Sequence, residues 1–259
     1  MSGWARDDTL AGKVALVTAA AGAGIGKAAA AALAGAGASV VVTDKHAERT
    51  KAAAGEIAAE TGATVVAMTL DVTEEEAIAE VVAATERDLG PIEVLVNNAG
   101  LTRPEPLLEM STETWRLINE VCLTSQFLMM RAVLPGMVER RSGAVVNLAS
   151  SYGWLGTNTG EAPYIAAKAG VMGLTRAAAA EVGPFGVRVN AIAPGLIFNE
   201  FLRKHFDDSF FERVVSGTPL GRPGSPEDVA NVVLFLAGPG SSFITGEVLC
   251  VSGGWYMHA

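Results

Sequence analysis

Cysteine is nearly missing from this 259-residue chain, and the two present, Cys122 and Cys250, give neither a disulfide framework nor a ligand cluster for a structural metal. Both are expected to be reduced and packed. Histidine is almost as scarce: His46, His205 and His258 all lack a hydrolase-like setting, and no G-x-S-x-G elbow occurs. A nucleophilic serine would therefore have no base, whereas a serine that only donates a hydrogen bond needs none. Basic charge is in deficit, with 19 Lys and Arg against 28 Asp and Glu and a formal net charge of -9, which argues against nucleic acid or an anionic membrane as partner. The apolar run Ala28 to Thr43, uncharged between Lys27 and Asp44, falls short of a bilayer span and is broken by Gly35 and Gly37. Met1 to Leu10 carries Arg6, Asp7 and Asp8 with no apolar stretch behind a basic one, unlike a secretion signal, so a cytoplasmic location is expected. No proline- or serine-rich linker and no internal repeat divides the chain. Residues 1–259 read as one domain with a short N-terminal extension over residues 1–10.

What is present is a repeated alternation of short β-branched runs and alanine-rich helical stretches, with half of all residues hydrophobic. Val14 to Thr18 is a strand leading into Gly22-Ala23-Gly24-Ile25-Gly26 and a helix from Gly26 to Gly37. Glycines in that position let backbone approach a pyrophosphate, whose charge is met by amides at the helix N-terminus. A Walker-type phosphate loop fails here, because Ala21 replaces its first glycine and Ala28 its magnesium-binding hydroxyl. A purely structural glycine turn is the remaining alternative.

Ser39 to Thr43 forms the second strand and ends on Asp44, roughly twenty residues past the glycines, where a carboxylate accepts from an adenosine ribose hydroxyl. It would repel a 2′-phosphate, so NAD is favoured over NADP, although Lys45 and His46 are adjacent. Helix capping is the other use of Asp44. Strands are expected over Thr64 to Leu70, Ile92 to Val96, Ala144 to Ala149, Val187 to Ile192 and Glu247 to Val251. Asp71-Val72 closes the third, and Asp71 either contacts adenine or makes a turn. Thr73 with Glu76 predicts a capping box. Asn97-Asn98-Ala99-Gly100 at the fourth strand end either ties strands together beside a cofactor or simply makes a turn. The alternation gives an α/β fold, a Rossmann-type doubly wound parallel sheet of seven strands.

Tyr164 and Lys168 are four residues apart in a helical run, so they share one face. A lysine beside a phenol is expected to pull the tyrosine pKa down from about 10, which makes the two a candidate acid/base pair. Ser150, Ser151, Tyr152 and Trp154 follow a strand end, where open α/β sheets place their chemistry. Residues 197–220 carry Phe201, Phe206, Phe210 and Phe211 among charges, and read either as a substrate lid with its exit at Gly217 and Pro219 or as a helix packed into the core. Ser225-Pro226-Glu227-Asp228 starts the next helix with a cap and an N1 proline.

Together the glycine loop, Asn97-Asn98-Ala99-Gly100, Ser150, Tyr164 and Lys168 resemble the short-chain dehydrogenase/reductase family, from about Lys13 to Gly254. The resemblance implies that Tyr164 is the catalytic acid/base, that Lys168 lowers its pKa and holds the nicotinamide ribose, and that Ser150 orients the substrate oxygen. Ser150 is preferred to Ser151 because Gly153 and Gly156 follow at the family's offsets. It further implies a cofactor surface made by Gly22, Gly24, Ile25, Gly26, Asp44, Asp71, Val72, Asn98, Ala99, Gly100, Pro194, Gly195 and Ile197, with Asp71 and Val72 at the adenine and the last three on the nicotinamide side. A homotetramer built through the two long central helices and the last strand is implied too.

Leu134-Pro135-Gly136-Met137-Val138-Glu139-Arg140-Arg141 and the stretch from Phe243-Ile244-Thr245-Gly246 through Ser252-Gly253-Gly254 look like members acting on alicyclic or acyl-thioester alcohols, including 3-oxoacyl reductases. Trp154-Leu155 and the aromatic lid fit a bulky, hydrophobic, steroid-like or thioester substrate. Three positions depart from the pattern. Thr18-Ala19-Ala20-Ala21-Gly22 is one residue longer than the usual threonine-glycine start, Cys122 falls where a catalytic asparagine is usual, and Asn199 stands where a threonine often contacts the carboxamide. A thiol does not reproduce an amide's hydrogen bonds, so the proton relay behind Lys168 is expected to run through water and backbone carbonyls. A cofactor-binding sensor or scaffold without turnover is the reading from another class, motivated by Cys122 alone.

Overall fold

The computed structural model describes residues 8–198 and 215–257. Seven strands, β1 (Val14–Val17), β2 (Ser39–Asp44), β3 (Val65–Thr69), β4 (Ile92–Asn97), β5 (Gly143–Leu148), β6 (Val187–Pro194) and β7 (Val248–Val251), form one sheet in the order β3-β2-β1-β4-β5-β6-β7. Every pairing is parallel. Central strands read VALV and IEVLVN because helices cover both faces, so neither alternate position meets water. Alternation instead sorts residues between two cores. Ala15 and Val17 point to the side packed by α1 (Ile25–Gly35), α2 (Ala47–Thr61) and α7 (Pro226–Ala237), whereas Leu16 points to the side packed by α3 (Glu75–Asp88), α5 (Ser125–Arg140) and α6 (Ala162–Val182). The alanine run Ala29–Ala32 lets α1 lie close against the sheet and α7.

The chain winds outward from β1 through β2 and β3, then returns to place β4 on the other side of β1. This reversal opens a crevice at the carboxyl ends of β1 and β4, where such sheets bind ligands. The sequence from Thr112 to Arg140 is one helical rod, but not a uniform one: α4 (Thr112–Asn119) passes through a π turn, Glu120–Thr124, before α5 begins. By length and composition this rod could cross a membrane, and 44% of its most apolar window is buried. On its inner side Met129, Val133 and Met137 lie in the second of these cores, and Cys122 packs in a small cluster with Ile118 and Ala167.

Two helix starts separate what local sequence dictates from what it suggests. At α7 the capping box forms: Ser225 N–H donates to Asp228 Oδ2 at 2.8 Å, and Asp228 N–H donates to Ser225 Oγ at 3.4 Å. Arg222 grips the same carboxylate with two bonds of 2.6 and 2.9 Å, and these hold Asp228 down to about pKa 2. The box expected from Thr73 and Glu76 does not form. Thr73 instead donates through N–H and Oγ1 to Asp71 Oδ1, at 3.0 and 2.8 Å, and α3 starts after Glu74 without a side-chain cap. A nearby acceptor in a turn has outcompeted the helix end. Of residues 197–220, the stretch containing Asn199 and the four phenylalanines lies outside the described residues, as do His205 and His258.

Candidate active site

The carboxyl ends of β1, β4, β5 and β6 all open on the same crevice, so the candidate residues converge although they are far apart in sequence. On the β1 side, Ala19 adopts φ 52, a left-handed conformation that favours glycine, and turns the chain into the longer loop. Gly24 then caps α1 in an extended conformation, with no acidic residue in the helix's first turn. Among the described residues, chain neighbours apart, nothing lies within 4 Å of where a β-carbon would stand at Gly22 or Gly24, whereas one at Gly26 would press on Asn98 and lie 2.7 Å from the Ala19 carbonyl. Two glycines therefore face open space at a helix N-terminus and the third permits close packing, an arrangement that fits a pyrophosphate.

Asn98 is the strut of this loop. Its Nδ2 donates to the Thr18 and Ala19 carbonyls, both at 3.0 Å, while Thr18 Oγ1 accepts from the Asn98 and Ala99 amides at 2.9 and 3.1 Å. Asn97 donates across to Asn147, which donates to Thr175 on α6. Of the two readings of this tetrapeptide, the strand tie is the one whose bonds are seen. Gly100 is also close to the lysine, since a β-carbon there would lie 3.6 Å from Lys168 Nζ.

At the end of β2, Asp44 accepts from the His46 amide at 3.0 Å and has Arg49 of α2 3.7 Å away, a cation the sequence reading overlooked. Asp71 is exposed at the end of β3. Its pKa is lowered chiefly by the Thr73 backbone bond, with Lys45 a smaller cause. Its turn role is observed, and Val72 is buried beside it. Across the crevice, Pro194 ends β6. Gly195 donates to the Val251 carbonyl at 2.9 Å in a space where a β-carbon would lie 2.8 Å from that of Ser252, and Ile197 bridges to Gly224. Asp44, Asp71, Val72, Pro194, Gly195 and Ile197 thus lie along the carboxyl edge with the glycine loop between them, and the set fits a dinucleotide.

Ser150 follows β5 in an extended conformation and accepts from the Tyr152 amide at 3.2 Å. Gly153 is needed immediately after, because a β-carbon would press on Met172 and the α6 backbone. Tyr164 and Lys168 lie on successive turns of α6, with Nζ 5.6 Å from the ring centroid. Lys168 is 2% exposed and donates to the Leu148 carbonyl at 2.6 Å.

The expectation that Lys168 pulls the phenol pKa down is corrected here. Burial dominates and pushes Tyr164 well above its ordinary value. Cys122 adds to the rise, the hydrogen bond with Ser150 opposes it, and Glu161 and Tyr152 raise it further. Burial likewise lowers the lysine's pKa. Cys122 is tied to the loop after β4. Its Sγ accepts from the Leu101 amide at 3.3 Å and donates to the Leu101 carbonyl at 3.2 Å, so the thiol makes both a donor and an acceptor contact.

Four site residues escaped assignment from sequence. Trp255 lies 6.0 Å from the Tyr152 ring, and Tyr256 stacks on Trp154 at 5.1 Å and 14°. The C-terminal segment therefore walls the serine turn. The only signal was two aromatics directly after Gly253-Gly254. Glu161, just before α6, accepts from Thr102 and Thr159 and borders Tyr164 electrostatically. Gln126 reaches the Leu148 carbonyl at 3.2 Å. Nothing in its apolar helical context marked it.

Comparison with known proteins adds a second line. A family model described as enoyl-(acyl carrier protein) reductase matches residues 19–256. A 3-oxoacyl-(acyl-carrier-protein) reductase of Vibrio cholerae is 44% identical over 257 residues, covering 96% of this chain and 99% of the relative. A (5R,7aS)-5-hydroxy-7a-methyl-1-oxo-2,3,5,6,7,7a-hexahydro-1H-indene-carboxyl-CoA reductase of Mycobacterium tuberculosis is 40% identical over 244 residues, 94% of this chain and 93% of that one. Among solved structures, a putative gluconate dehydrogenase from Agrobacterium tumefaciens superposes with a TM-score of 0.91 at 33% identity, covering 96% of this chain and 98% of the other.

Proposed function

The chain belongs to the short-chain dehydrogenase/reductase family, oxidoreductases that bind a nicotinamide dinucleotide, and from that premise we propose that it interconverts a secondary alcohol and a ketone on a bulky, largely hydrophobic substrate with NAD(H). The observation that carries the proposal is the meeting of Tyr164 with Ser150, whose hydroxyl opposes the rise of the phenol's pKa, with Lys168 one turn further along α6 and its Nζ 5.6 Å from the Tyr164 ring centroid. The bound dinucleotide would accept or return hydride at the carbinol carbon. Tyr164 takes the alcohol proton as the carbonyl forms, or gives it back during reduction. Ser150 Oγ donates to the substrate oxygen and offsets charge developing there. Lys168, seated on the Leu148 carbonyl, holds the nicotinamide ribose and passes protons to and from Tyr164.

NAD is favoured by the Asp44 carboxylate at the end of β2, which opposes a 2′-phosphate, with Arg49 at 3.7 Å as the cation acting against it. The substrate class draws on the thioester names of two relatives and on the Tyr152–Trp255 wall, which suits an alicyclic, steroid-like or 3-hydroxyacyl thioester alcohol. The whole chain is read as one domain, cytoplasmic and tetrameric. Exposed Trp115 and Phe127 along the α4–α5 rod support the association.

The test is turnover with NAD and NADP across alicyclic alcohols, steroid-like alcohols and 3-hydroxyacyl thioesters. Activity with at least one class, about tenfold higher in kcat/KM with NAD and losing that preference in Asp44→Ser, is expected. Equal use of NADP by the wild type would overturn the NAD assignment, and no turnover with any class would overturn the substrate assignment.

A further inference from the structure

The ammonium of Lys168 is held by a backbone group, the Leu148 carbonyl two residues before Ser150, at 2.6 Å. That carbonyl accepts a second bond, from Gln126 Nε2 at 3.2 Å, and the same Nε2 donates to the Cys122 carbonyl at 3.2 Å. Gln126 therefore ties the π turn to the end of β5, and one of its two links ends on the lysine's own acceptor. The side chain is 1% exposed, and its Oε1 is buried with no hydrogen-bond partner among the described residues. An interior glutamine with an unsatisfied acceptor burdens folding in a way that an apolar residue of similar volume would not.

We propose that Gln126 is a positioning residue for Lys168: by holding the shared Leu148 carbonyl, it fixes where the ammonium sits relative to Tyr164 and how tightly that ammonium keeps its proton. The proposal rests on the reading of Tyr164 and Lys168 as the acid/base pair. Its sign follows from the geometry. The positive end of the Gln126 amide and the ammonium compete for one oxygen, so removing the amide leaves that oxygen to the ammonium and strengthens its hold on the proton. The other titratable groups around the lysine are Tyr164 on α6 and Cys122 in the π turn, with Glu161 and Tyr152 acting on Tyr164. Changing Gln126 leaves all four side chains in place and removes one bond to the Cys122 carbonyl.

The experiment compares wild type, Gln126→Leu and Gln126→Met. The Lys168 Cε resonance of protein made with carbon-13-labelled lysine, identified by its loss in Lys168→Arg, is titrated alongside kcat, KM and thermal melting. Expected are a Lys168 titration midpoint higher by about half a pH unit or more, kcat lower by about tenfold with KM within about twofold, and melting within about 2 °C of wild type. An unchanged lysine titration in a folded variant overturns the proposal, as does a fall in kcat that only tracks lost thermal stability. If wild type turns over no substrate, the functional reading fails instead, while the titration, which needs no substrate, still decides the role of Gln126.

Discussion

Tyr164 is where burial and chemistry pull in opposite directions. Its pKa is raised mainly by burial, so in the cofactor-free protein the phenol stays protonated through neutral pH, ready to donate to a ketone oxygen. The phenolate needed for alcohol oxidation gains population only as pH rises toward that raised value. Alcohol oxidation should therefore climb in kcat/KM from about pH 7 to about pH 10, while ketone reduction does not climb over the same range. Parallel profiles in the two directions would assign the limiting proton transfer elsewhere. Cys122 illustrates how far a single residue can be read. Its identity and its departure from the family pattern were plain from the sequence, but its bonding was not, because a sulfur that both donates to and accepts from Leu101 depends on the approach of a separate loop. Cys122→Asn should consequently change turnover by less than about threefold. A gain of about a hundredfold would show that the thiol had been limiting.

Among the elements, the seven strands and most helices were legible because β-branched runs and glycine punctuation are local signals. The π turn at Glu120–Thr124 was not. One extra residue in a helical turn leaves the apolar pattern of Thr112 to Arg140 looking continuous, although Cys122 sits within that turn and Gln126 just after it. Helix caps divide the same way. The α7 box is reciprocal and reinforced by Arg222, whereas Thr73 has a closer carboxylate partner in Asp71. Ser225→Ala should cost about 1 kcal/mol, which lowers the thermal midpoint by about 2–4 °C in a chain of this size. Thr73→Ala should cost less than half of that, since no helix end depends on it. Equal costs in the two variants would contradict the assignment.

For the whole molecule, strand order turns scattered motifs into one site. The reversal after β3 brings the glycine loop beside Asn98, and the outward run through β5 and β6 aligns Ser150 and Pro194 with them. Most of the candidate residues could be named from spacing and resemblance. The Tyr152–Trp255 and Trp154–Tyr256 contacts could not, because they join the chain's last residues to a turn about a hundred positions earlier, and no periodicity reports such a meeting. We propose that this crevice performs proton-coupled hydride transfer with Tyr164 as the acid/base. The most direct test is Tyr164→Phe, assayed for turnover on the best substrate of the panel and, in parallel, for NADH binding by fluorescence. Expected are a kcat lower by at least about a thousandfold and an NADH affinity within about threefold of wild type. A variant that binds NADH normally and turns over at more than about a tenth of the wild-type rate would contradict it.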